Sequence, residues 1–162
     1  MHKFNIQSEI SVCETDELSP LQRDLLLRAK AACNAAYAPY SRFRVGAALL
    51  LEDGTVVVGS NQENAAYPLT LCAERVAIFA AMSQKPDARI SHIAITVQTQ
   101  TGAVDRPVSP CGSCRQVIYE TELRCKRDIE LILQGDTGSV YLVPTVKHLL
   151  PLMFDASFLD KK

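Results

Sequence analysis

The sequence predicts an α/β fold in which helices pack on both faces of a mixed central β-sheet of about five strands, a three-layer sandwich. Three observations indicate it. Helical and strand-like runs alternate along the 162 residues, which favours a sheet covered by helices. Residues 45–51 are apolar throughout, as in strands that are buried on both faces. Asp53-Gly54 follows directly as a strong hairpin signal.

The first helix opens at Ser19 and Pro20 and repeats apolar residues every three or four positions until Pro39 ends it. Residues 1–18 are polar and mixed, and they form either an extra edge strand or a loose arm. We expect a single domain over residues 19–162 and an N-terminal extension over residues 1–18. The remaining predicted elements are a hairpin (45–51 and 55–59), a helix (72–83), a strand (90–98), a helix (110–124), two strands (129–134 and 140–143) and a short helix starting at 145.

Two short segments carry the residues with metal chemistry. Cys72 lies in the first, and Cys111 and Cys114 lie in the second. Three protein ligands leave a tetrahedral zinc with an open fourth position, which is typical of catalytic sites because structural sites usually have four protein ligands. Zinc lowers the pKa of a water bound at that position. Glu74 follows Cys72 by two residues, and a carboxylate that is not a ligand can carry the protons of that water.

The spacing of these residues is consistent with helix starts. Cys111 and Cys114 are three residues apart, which places both thiols on one face of a helix. Ser109 is a suitable cap for that helix, and Pro110 suits its first position. In a first turn, Cys72 and Glu74 can both lie over a helix end, where partial positive charge favours thiolates.

Three thiolates on one divalent zinc leave excess negative charge. Arg75 and Arg115 adjoin the ligands in sequence and are placed to offset it.

Other interpretations of the same residues exist. A Cys-x-x-Cys pair alone also occurs in redox sites and as half of a structural zinc knuckle. A knuckle needs a second pair, and the four other cysteines are isolated: Cys13, Cys33, Cys72 and Cys125. Glu74 alone is typical of an ordinary carboxylate at a helix start. Its position beside a third cysteine favours the proton carrier instead.

From about Leu21 to about Phe154, the chain resembles the cytidine deaminases of the small, homotetrameric, zinc-dependent type. The matching segments occur in the family's order, at residues 38–49, 61–68, 72–75, 110–116 and 149–151. The two cysteine segments alone are shared with the wider deaminase superfamily. The segments around Phe43 and Asn61 narrow the resemblance to enzymes that act on free nucleosides. The chain departs from the family pattern at Thr70, where a glycine is common, and this departure affects the turn that enters the first cysteine segment.

The resemblance implies a reaction and a metal. The reaction is the hydrolytic deamination of cytidine and 2′-deoxycytidine to the uridines with release of ammonia, a step of pyrimidine salvage. One zinc per chain is held by Cys72, Cys111 and Cys114, and Glu74 is the proton shuttle. Arg75 matches an arginine that hydrogen-bonds the thiolates.

The resemblance also implies a substrate site shared between subunits of a homotetramer. Asn61 and Glu63 bind the ribose hydroxyls, the backbone of Ala73 helps to read the base, and Phe43 packs against the pyrimidine ring. Phe154 matches a position from which a neighbouring subunit adds an aromatic edge. Tyr67 matches a residue that lies near a subunit contact in the family.

Composition limits the function classes. The formal net charge is −1, whereas a nucleic-acid binder normally shows a basic surplus. The chain has no apolar run of transmembrane length and no apolar start typical of a signal peptide. Six unevenly spaced cysteines indicate a reducing compartment. We therefore expect a cytoplasmic enzyme with a small-molecule nucleoside substrate, no nucleic-acid partner and no membrane association.

Three rival functions follow from the same motifs. A related deaminase could act on another small substrate, such as an aminonucleoside antibiotic, but Asn61 and Glu63 favour a ribose. An editing deaminase needs a basic groove and stacking aromatics, and the chain has neither a positive surplus nor tryptophan. A noncatalytic zinc-stabilised scaffold would have no use for Glu74.

Overall fold

The structure, a computed structural model, describes residues 1–100 and 102–159. Three α-helices and six strands make up the regular structure of these described residues. The helices are α1 (Pro20–Ala32), α2 (Ala73–Gln84) and α3 (Gly112–Cys125), and the strands are β1 (Ser11–Cys13), β2 (Phe43–Leu51), β3 (Val56–Ser60), β4 (Ile90–Thr99), β5 (Glu130–Gln134) and β6 (Val140–Val143). Short 3₁₀ turns cover Thr15–Glu17, Cys33–Ala35, Tyr67–Leu69, Val146–His148 and Ala156–Phe158. None of the described helices is long and apolar enough to cross a membrane.

The six strands form one mixed sheet in the order β1-β6-β5-β4-β2-β3. β4 and β5 are parallel, and the other described pairs are antiparallel. A parallel pair needs a crossover connection, and α3 supplies it between β4 and β5. The predicted α/β fold and mixed sheet are confirmed, with one strand more than expected.

Helices cover both faces of the sheet. Because alternate residues of a strand point to opposite sides, each central strand contributes side chains to two cores. On one face, Leu49 of β2 and Ile93 of β4 belong to the core that also contains residues of α2 and α3. On the other face, Ala48 of β2 and Ala94 of β4 belong to a second core that contains α1. The central strands are therefore buried on both sides, as their apolar runs predict.

Two glycines allow the helices to approach the sheet closely. A Cβ atom at Gly46 would lie 2.0 Å from the carbonyl oxygen of Ala29 in α1. A Cβ atom at Gly59 would lie 2.6 Å from both the Ala73 carbonyl oxygen and the Ala77 nitrogen of α2. A larger residue at Gly59 would push away the first turn of α2, which directly follows Cys72.

One edge of the sheet is formed by part of the N-terminal segment, and β3 forms the other. Ser11 to Cys13 pair with Leu142 to Val140 of β6. The sequence leaves open an edge strand or a loose arm for the N-terminal segment, and these residues form the edge strand. Before this strand, the Ser8 hydroxyl donates to the His148 carbonyl oxygen (2.8 Å), and the Glu9 N–H donates to Nδ1 of His148 (2.9 Å). Leu18, just after it, is buried in the α1 core.

Helix α1 starts as predicted and ends early. Ser19 and Gln22 form a reciprocal capping box ahead of Pro20. The helix ends at Ala32 and not near Pro39, because the chain turns into extended structure to join a neighbouring segment. The Tyr37 N–H donates to the Asn61 carbonyl (3.0 Å), and the Glu63 N–H donates to the Tyr37 carbonyl (2.8 Å).

The predicted start of α3 at Pro110 is wrong by two residues. The helix begins at Gly112 and Cys111 is its N-cap residue, with an extended backbone (φ −65°, ψ 165°). Ser109 is therefore not the cap. The first helical bond runs from the Arg115 N–H to the Cys111 carbonyl oxygen (2.9 Å).

Candidate metal centre and active site

The three cysteines singled out in the sequence converge at the N-termini of α2 and α3. Cys72 is the N-cap residue of α2, while Cys111 caps α3 and Cys114 lies in its first turn. Their three sulfur atoms lie within 4.8 Å of one another, and those of Cys72 and Cys111 are 3.9 Å apart. Two helix N-termini thus direct their partial positive charge at one cluster of thiols.

The cluster fits a divalent soft-ligand metal. Sulfur atoms about 2.3 Å from a tetrahedral zinc lie about 3.8 Å from each other, close to the observed 3.9 Å. The group offers three thiols, and it is the one cluster of metal-ligand type found among the described residues. A tetrahedral metal held by these cysteines keeps one position for a non-protein ligand.

Proton sharing within the cluster already favours a thiolate. Hydrogen bonding with Cys114 and then with Arg75 lowers the pKa of Cys72 below that of a free thiol. The same bond with Cys72, together with burial, raises the pKa of Cys114. A bound cation would lower the pKa of Cys114 as well, because metal binding requires deprotonated thiols.

The two arginines beside the ligands play different parts. Nη2 of Arg75 donates to Cys72 Sγ (3.7 Å) and to the Thr70 carbonyl oxygen (3.2 Å), which places a positive charge against the thiolate. Arg115 instead donates to the carbonyl oxygens of Pro110 (2.8 Å) and Leu149 (2.7 Å). The expectation that Arg115 offsets thiolate charge is therefore not supported by its contacts, which tie the C-terminal segment to α3.

Glu74 is buried beside the cluster with only 4% of its surface exposed. Its Oε2 atom has no hydrogen-bond partner among the described residues. Burial is the largest cause that raises its pKa, with the negative charge of Cys72 also contributing, and the value reaches about 7. A buried carboxylate oxygen without a hydrogen-bond donor is energetically costly unless a group from outside the chain supplies one. Water or a substrate beside the metal would do so.

The segment with Asn61 and Glu63 runs alongside the first cysteine segment. Gln62 and Leu71 exchange two backbone hydrogen bonds (2.9 and 3.0 Å), so Asn61 and Glu63 lie one residue from a segment that leads into Cys72. The Asn61 side chain is buried and holds the start of β2, because its Nδ2 donates to the Phe43 carbonyl (2.9 Å) and its Oδ1 accepts from the Val45 N–H (2.8 Å). Phe43 is half-buried at the beginning of this strand.

An open cleft adjoins this segment. It has a volume of about 420 Å³ and is lined by Tyr40, Ser41, Glu63, Tyr67 and Thr70. Tyr40 and Tyr67 meet edge to face, with ring centroids 6.2 Å apart. Thr70 accepts a hydrogen bond from the Asn64 N–H (3.1 Å) through its hydroxyl, so this side chain holds the loop that precedes the cluster.

Three residues at the site have no function assigned from sequence patterns: Ser41, Thr70 and Gln116. Ser41 contacts Glu63 across 22 positions of sequence, and no local pattern signals such a contact. Gln116 is two residues from Cys114, and its Nε2 donates to the Phe154 carbonyl oxygen (2.7 Å). The sequence signals for these two residues were indirect: Gln116 lies in the family segment at residues 110–116, and Thr70 is the position where the chain departs from the family's glycine.

Phe154 lies on the C-terminal segment and is 55% exposed. Its ring stacks on Phe158 with centroids 5.6 Å apart. Within the described residues, Phe154 makes no hydrogen bond or ring contact with the cysteine cluster. The structure thus brings together the cysteines, Ala73, Glu74 and Arg75, and it leaves Phe154 and Tyr67 on the surface.

Residues 20–127 match the family model described as the cytidine and deoxycytidylate deaminase zinc-binding region. The chain belongs to this deaminase family. It is 46% identical over 137 residues to the cytidine deaminase of Halalkalibacterium halodurans, covering 84% of this chain and 96% of that one. It is also 46% identical over 130 residues to the cytidine deaminase of Sporosarcina psychrophila, covering 80% and 88% of the two chains.

A solved structure shares the fold of this deaminase-family chain. The crystal structure of cytidine deaminase from Burkholderia pseudomallei is 42% identical to it, with a TM-score of 0.70, and covers 81% of this chain and 97% of that one. The family resemblance inferred from the sequence is confirmed.

Proposed function

We propose that the protein catalyses the zinc-dependent hydrolytic deamination of cytidine and 2′-deoxycytidine, which yields uridine or 2′-deoxyuridine and ammonia in pyrimidine salvage. One observation carries the proposal: three convergent thiols lie beside a buried carboxylate whose Oε2 atom is unpaired among the described residues. Relatives that are 46% identical over most of the chain are cytidine deaminases, which supports the substrate. In this proposal, Cys72, Cys111 and Cys114 hold one zinc per chain.

Glu74 is the proton carrier of the proposed reaction. When bound, zinc supplies the Lewis acid that activates a water for attack on C4 of the pyrimidine. Glu74 accepts a proton from that water and delivers it to N3 of the ring. It then passes the second proton to the departing amine, so that water and cytidine give uridine and ammonia. Burial raises the pKa of Glu74 above that of an exposed carboxyl, toward the range in which one group can both accept and release a proton near neutral pH.

The nucleoside is held by residues around the start of β2. We assign Phe43 to the pyrimidine ring, Asn61 and Glu63 to the sugar hydroxyls, and the Ala73 backbone to the base. The first turn of α2 carries both Ala73 and Glu74, so recognition of the base and proton transfer share one rigid element. Asn61 already uses its amide on the β2 backbone, which leaves one amide hydrogen and one lone pair for a ligand.

We also propose a homotetramer in which neighbouring subunits complete each active site. Phe154 and Tyr67 are 55% and 73% exposed, and large exposed aromatics near a candidate site are typical of contact surfaces. Phe154 would add an aromatic edge to a neighbour's nucleoside, and Tyr67 would lie near the subunit contact.

Within each chain, we propose a single deaminase domain over residues 19–162, braced by an extension over residues 1–18. The pairing of β1 with β6 supports the bracing role. All six cysteines are free thiols, which supports a reducing, cytoplasmic location.

Deoxycytidylate is the second candidate substrate, because the family description includes deoxycytidylate deaminases. The lining of the cleft favours the nucleoside. Glu63 places a carboxylate there, and among the described residues that line the cleft none is basic. A phosphate monoester would therefore face negative charge without a compensating arginine or lysine.

Ammonia release from cytidine by the zinc-loaded protein tests the proposal. Glu74→Gln serves as the control that keeps the thiols and removes the proton carrier. We expect turnover of cytidine and 2′-deoxycytidine, with at least ~10²-fold less in the control. A parent protein that deaminates deoxycytidylate and not cytidine would move the assignment to the nucleotide.

A further inference from the structure

The Glu63 carboxylate is held by three donors from one short turn. Its Oε2 accepts from the backbone N–H groups of Tyr40 (2.9 Å) and Ser41 (3.3 Å), and its Oε1 accepts from the Ser41 hydroxyl. The Ser41 hydroxyl is the largest cause that lowers the pKa of Glu63. The carboxylate is therefore ionised and fixed before any ligand arrives.

The Ser41 hydroxyl also holds the start of β2. Its Oγ accepts a hydrogen bond from the Phe43 N–H (3.0 Å) while its proton goes to Glu63. One small side chain thus links the residue assigned to the sugar with the residue assigned to the base. The Asn61 side chain binds the same strand at two further backbone groups, the Phe43 carbonyl and the Val45 N–H.

We propose that Ser41 is a positioning residue for nucleoside binding, whose hydroxyl sets the relative placement of Glu63 and Phe43. The inference rests on the proposed function. It adds a residue that does not touch the reacting atoms and acts through two that face the substrate.

Counting acceptor positions shows what Ser41 leaves for the sugar. A carboxylate has about four lone-pair positions, and the turn occupies three of them. The remaining position is on Oε1, the oxygen that Ser41 orients. Without the hydroxyl, both acceptor positions of Oε1 are open and the Glu63 side chain moves more freely. Part of the free energy of nucleoside binding is then spent on ordering that side chain.

Two substitutions separate the hydroxyl from the rest of the side chain. Ser41→Ala removes the donor to Glu63 and the acceptor for Phe43, whereas Ser41→Thr keeps both. For Ser41→Ala we expect an about 10-fold rise in KM for cytidine with kcat within about 3-fold of the parent, from the worth of a hydrogen bond to a charged group. Ser41→Thr should stay within about 3-fold in both constants. The matched control is Ser83→Ala, an exposed serine at the end of α2 whose hydroxyl donates to the Ala80 carbonyl oxygen (3.2 Å).

A second substrate tests the route through Glu63. 2′,3′-Dideoxycytidine keeps the base and lacks the hydroxyls that Glu63 would accept, so Ser41→Ala should raise its KM less than that of cytidine. In a Glu63→Gln background, Ser41→Ala should add less than about 3-fold to the KM for cytidine, because coupled residues are not additive. An equal effect on both nucleosides, or full additivity with Glu63→Gln, would overturn the inference.

Amide hydrogen exchange of the zinc-loaded protein provides a readout without turnover. Exchange across residues 40–43 should speed up in Ser41→Ala and remain at the parent rate in Ser41→Thr. Unchanged exchange and unchanged KM in Ser41→Ala would refute the positioning role while cytidine turnover by the parent upheld the proposed function. A parent without cytidine turnover would refute the proposed function, and the role of Ser41 in nucleoside binding with it, even if exchange changed as expected.

Discussion

The cysteine cluster at the N-termini of α2 and α3 and the C-terminal segment that carries Phe154 are two parts of the proposed active site. A single chain completes them to different degrees. Cys114 is fully buried and Glu74 is 4% exposed, whereas Phe154 is 55% and Phe158 is 69% exposed. Folding one chain therefore assembles the groups that perform chemistry. In the proposed shared site, the aromatic enclosure of the substrate would come from a neighbouring subunit, and the exposure of Phe154 leaves it available for that contact.

The connection between the two parts is short. The first two turns of α3 carry Cys114, Arg115 and Gln116, and the two polar residues hold the carbonyl oxygens of Leu149 and Phe154. The helix that would bind the metal thus also fixes the segment that presents Phe154. Variants that affect one part and spare the other are the direct test of this comparison.

Removal of a metal ligand should have the largest effect. Cys111→Ala leaves two thiols, so we expect zinc content near zero and a loss of activity of at least ~10³-fold, since metal-ion catalysis is worth several kcal/mol. Elemental analysis and ammonia release on the same preparation measure both. Cys13→Ser, at the sheet edge, is the matched control and should keep its zinc. Full activity in a metal-free Cys111→Ala protein would contradict the mechanism.

Glu74→Gln should abolish proton transfer and leave the cluster intact. The amide keeps the shape of the side chain and cannot carry a proton, so we expect a loss of at least ~10²-fold in kcat. Zinc content, measured on the same sample, should equal that of the parent. A variant within a few-fold of the parent would show that another group carries the proton.

Glu63→Gln should weaken nucleoside binding and spare proton transfer. A hydrogen bond to a charged group is worth about 1.5–3 kcal/mol, which corresponds to a fall of roughly 10- to 150-fold in kcat/KM for cytidine. Free cytosine lacks the sugar, so its turnover should fall much less. Equal losses for the nucleoside and the free base would remove Glu63 from the sugar site.

The metal half of the site could be predicted from the sequence because its signals are local. Cys111 and Cys114 lie three residues apart at a helix start, and Cys72 and Glu74 are two apart at another. The Asp53-Gly54 turn likewise fixed the hairpin, with Gly54 at φ +82°. Each of these signals acts over one or two turns of chain, whereas the meeting of Cys72 with Cys111 spans 39 positions of sequence and depends on how the helices pack.

The family resemblance names Phe43, Asn61 and Glu63, but the tertiary contacts that hold this part of the site are not encoded in local sequence patterns. The Ser41–Glu63 link spans 22 positions and His148 meets the N-terminal segment across about 140. Helix α1 ends early because Tyr37 joins the segment at Asn61 and Glu63, which overrides local helix preference. The exact start of α3 likewise follows from the extended backbone of Cys111.

Phe154→Ala probes the part that one chain leaves open, and its effect should be the smallest. Aromatic pairs contribute about 0.5–1.5 kcal/mol beyond the area that they bury, so we expect an up to about 10-fold loss in kcat/KM with unchanged zinc. The alternative is that Phe154 packs only within its own chain, against Phe158. In that case the loss should follow thermal stability, which differential scanning calorimetry measures, and not substrate binding.

Mixing variants decides between the shared site and local packing. Phe154→Ala chains retain Glu74, and Glu74→Gln chains retain Phe154, so each type lacks a group that the other supplies. After subunit exchange, some hybrid sites pair an intact Glu74 with a neighbour's intact Phe154, and we expect the mixture to be more active than the sum of its separate components. Mass spectrometry of differently tagged chains shows whether exchange has occurred. Chains that exchange without any gain in activity, or a fully active monomer at assay concentration, would mean that each chain builds its whole site alone and that the exposed aromatic surface serves another purpose.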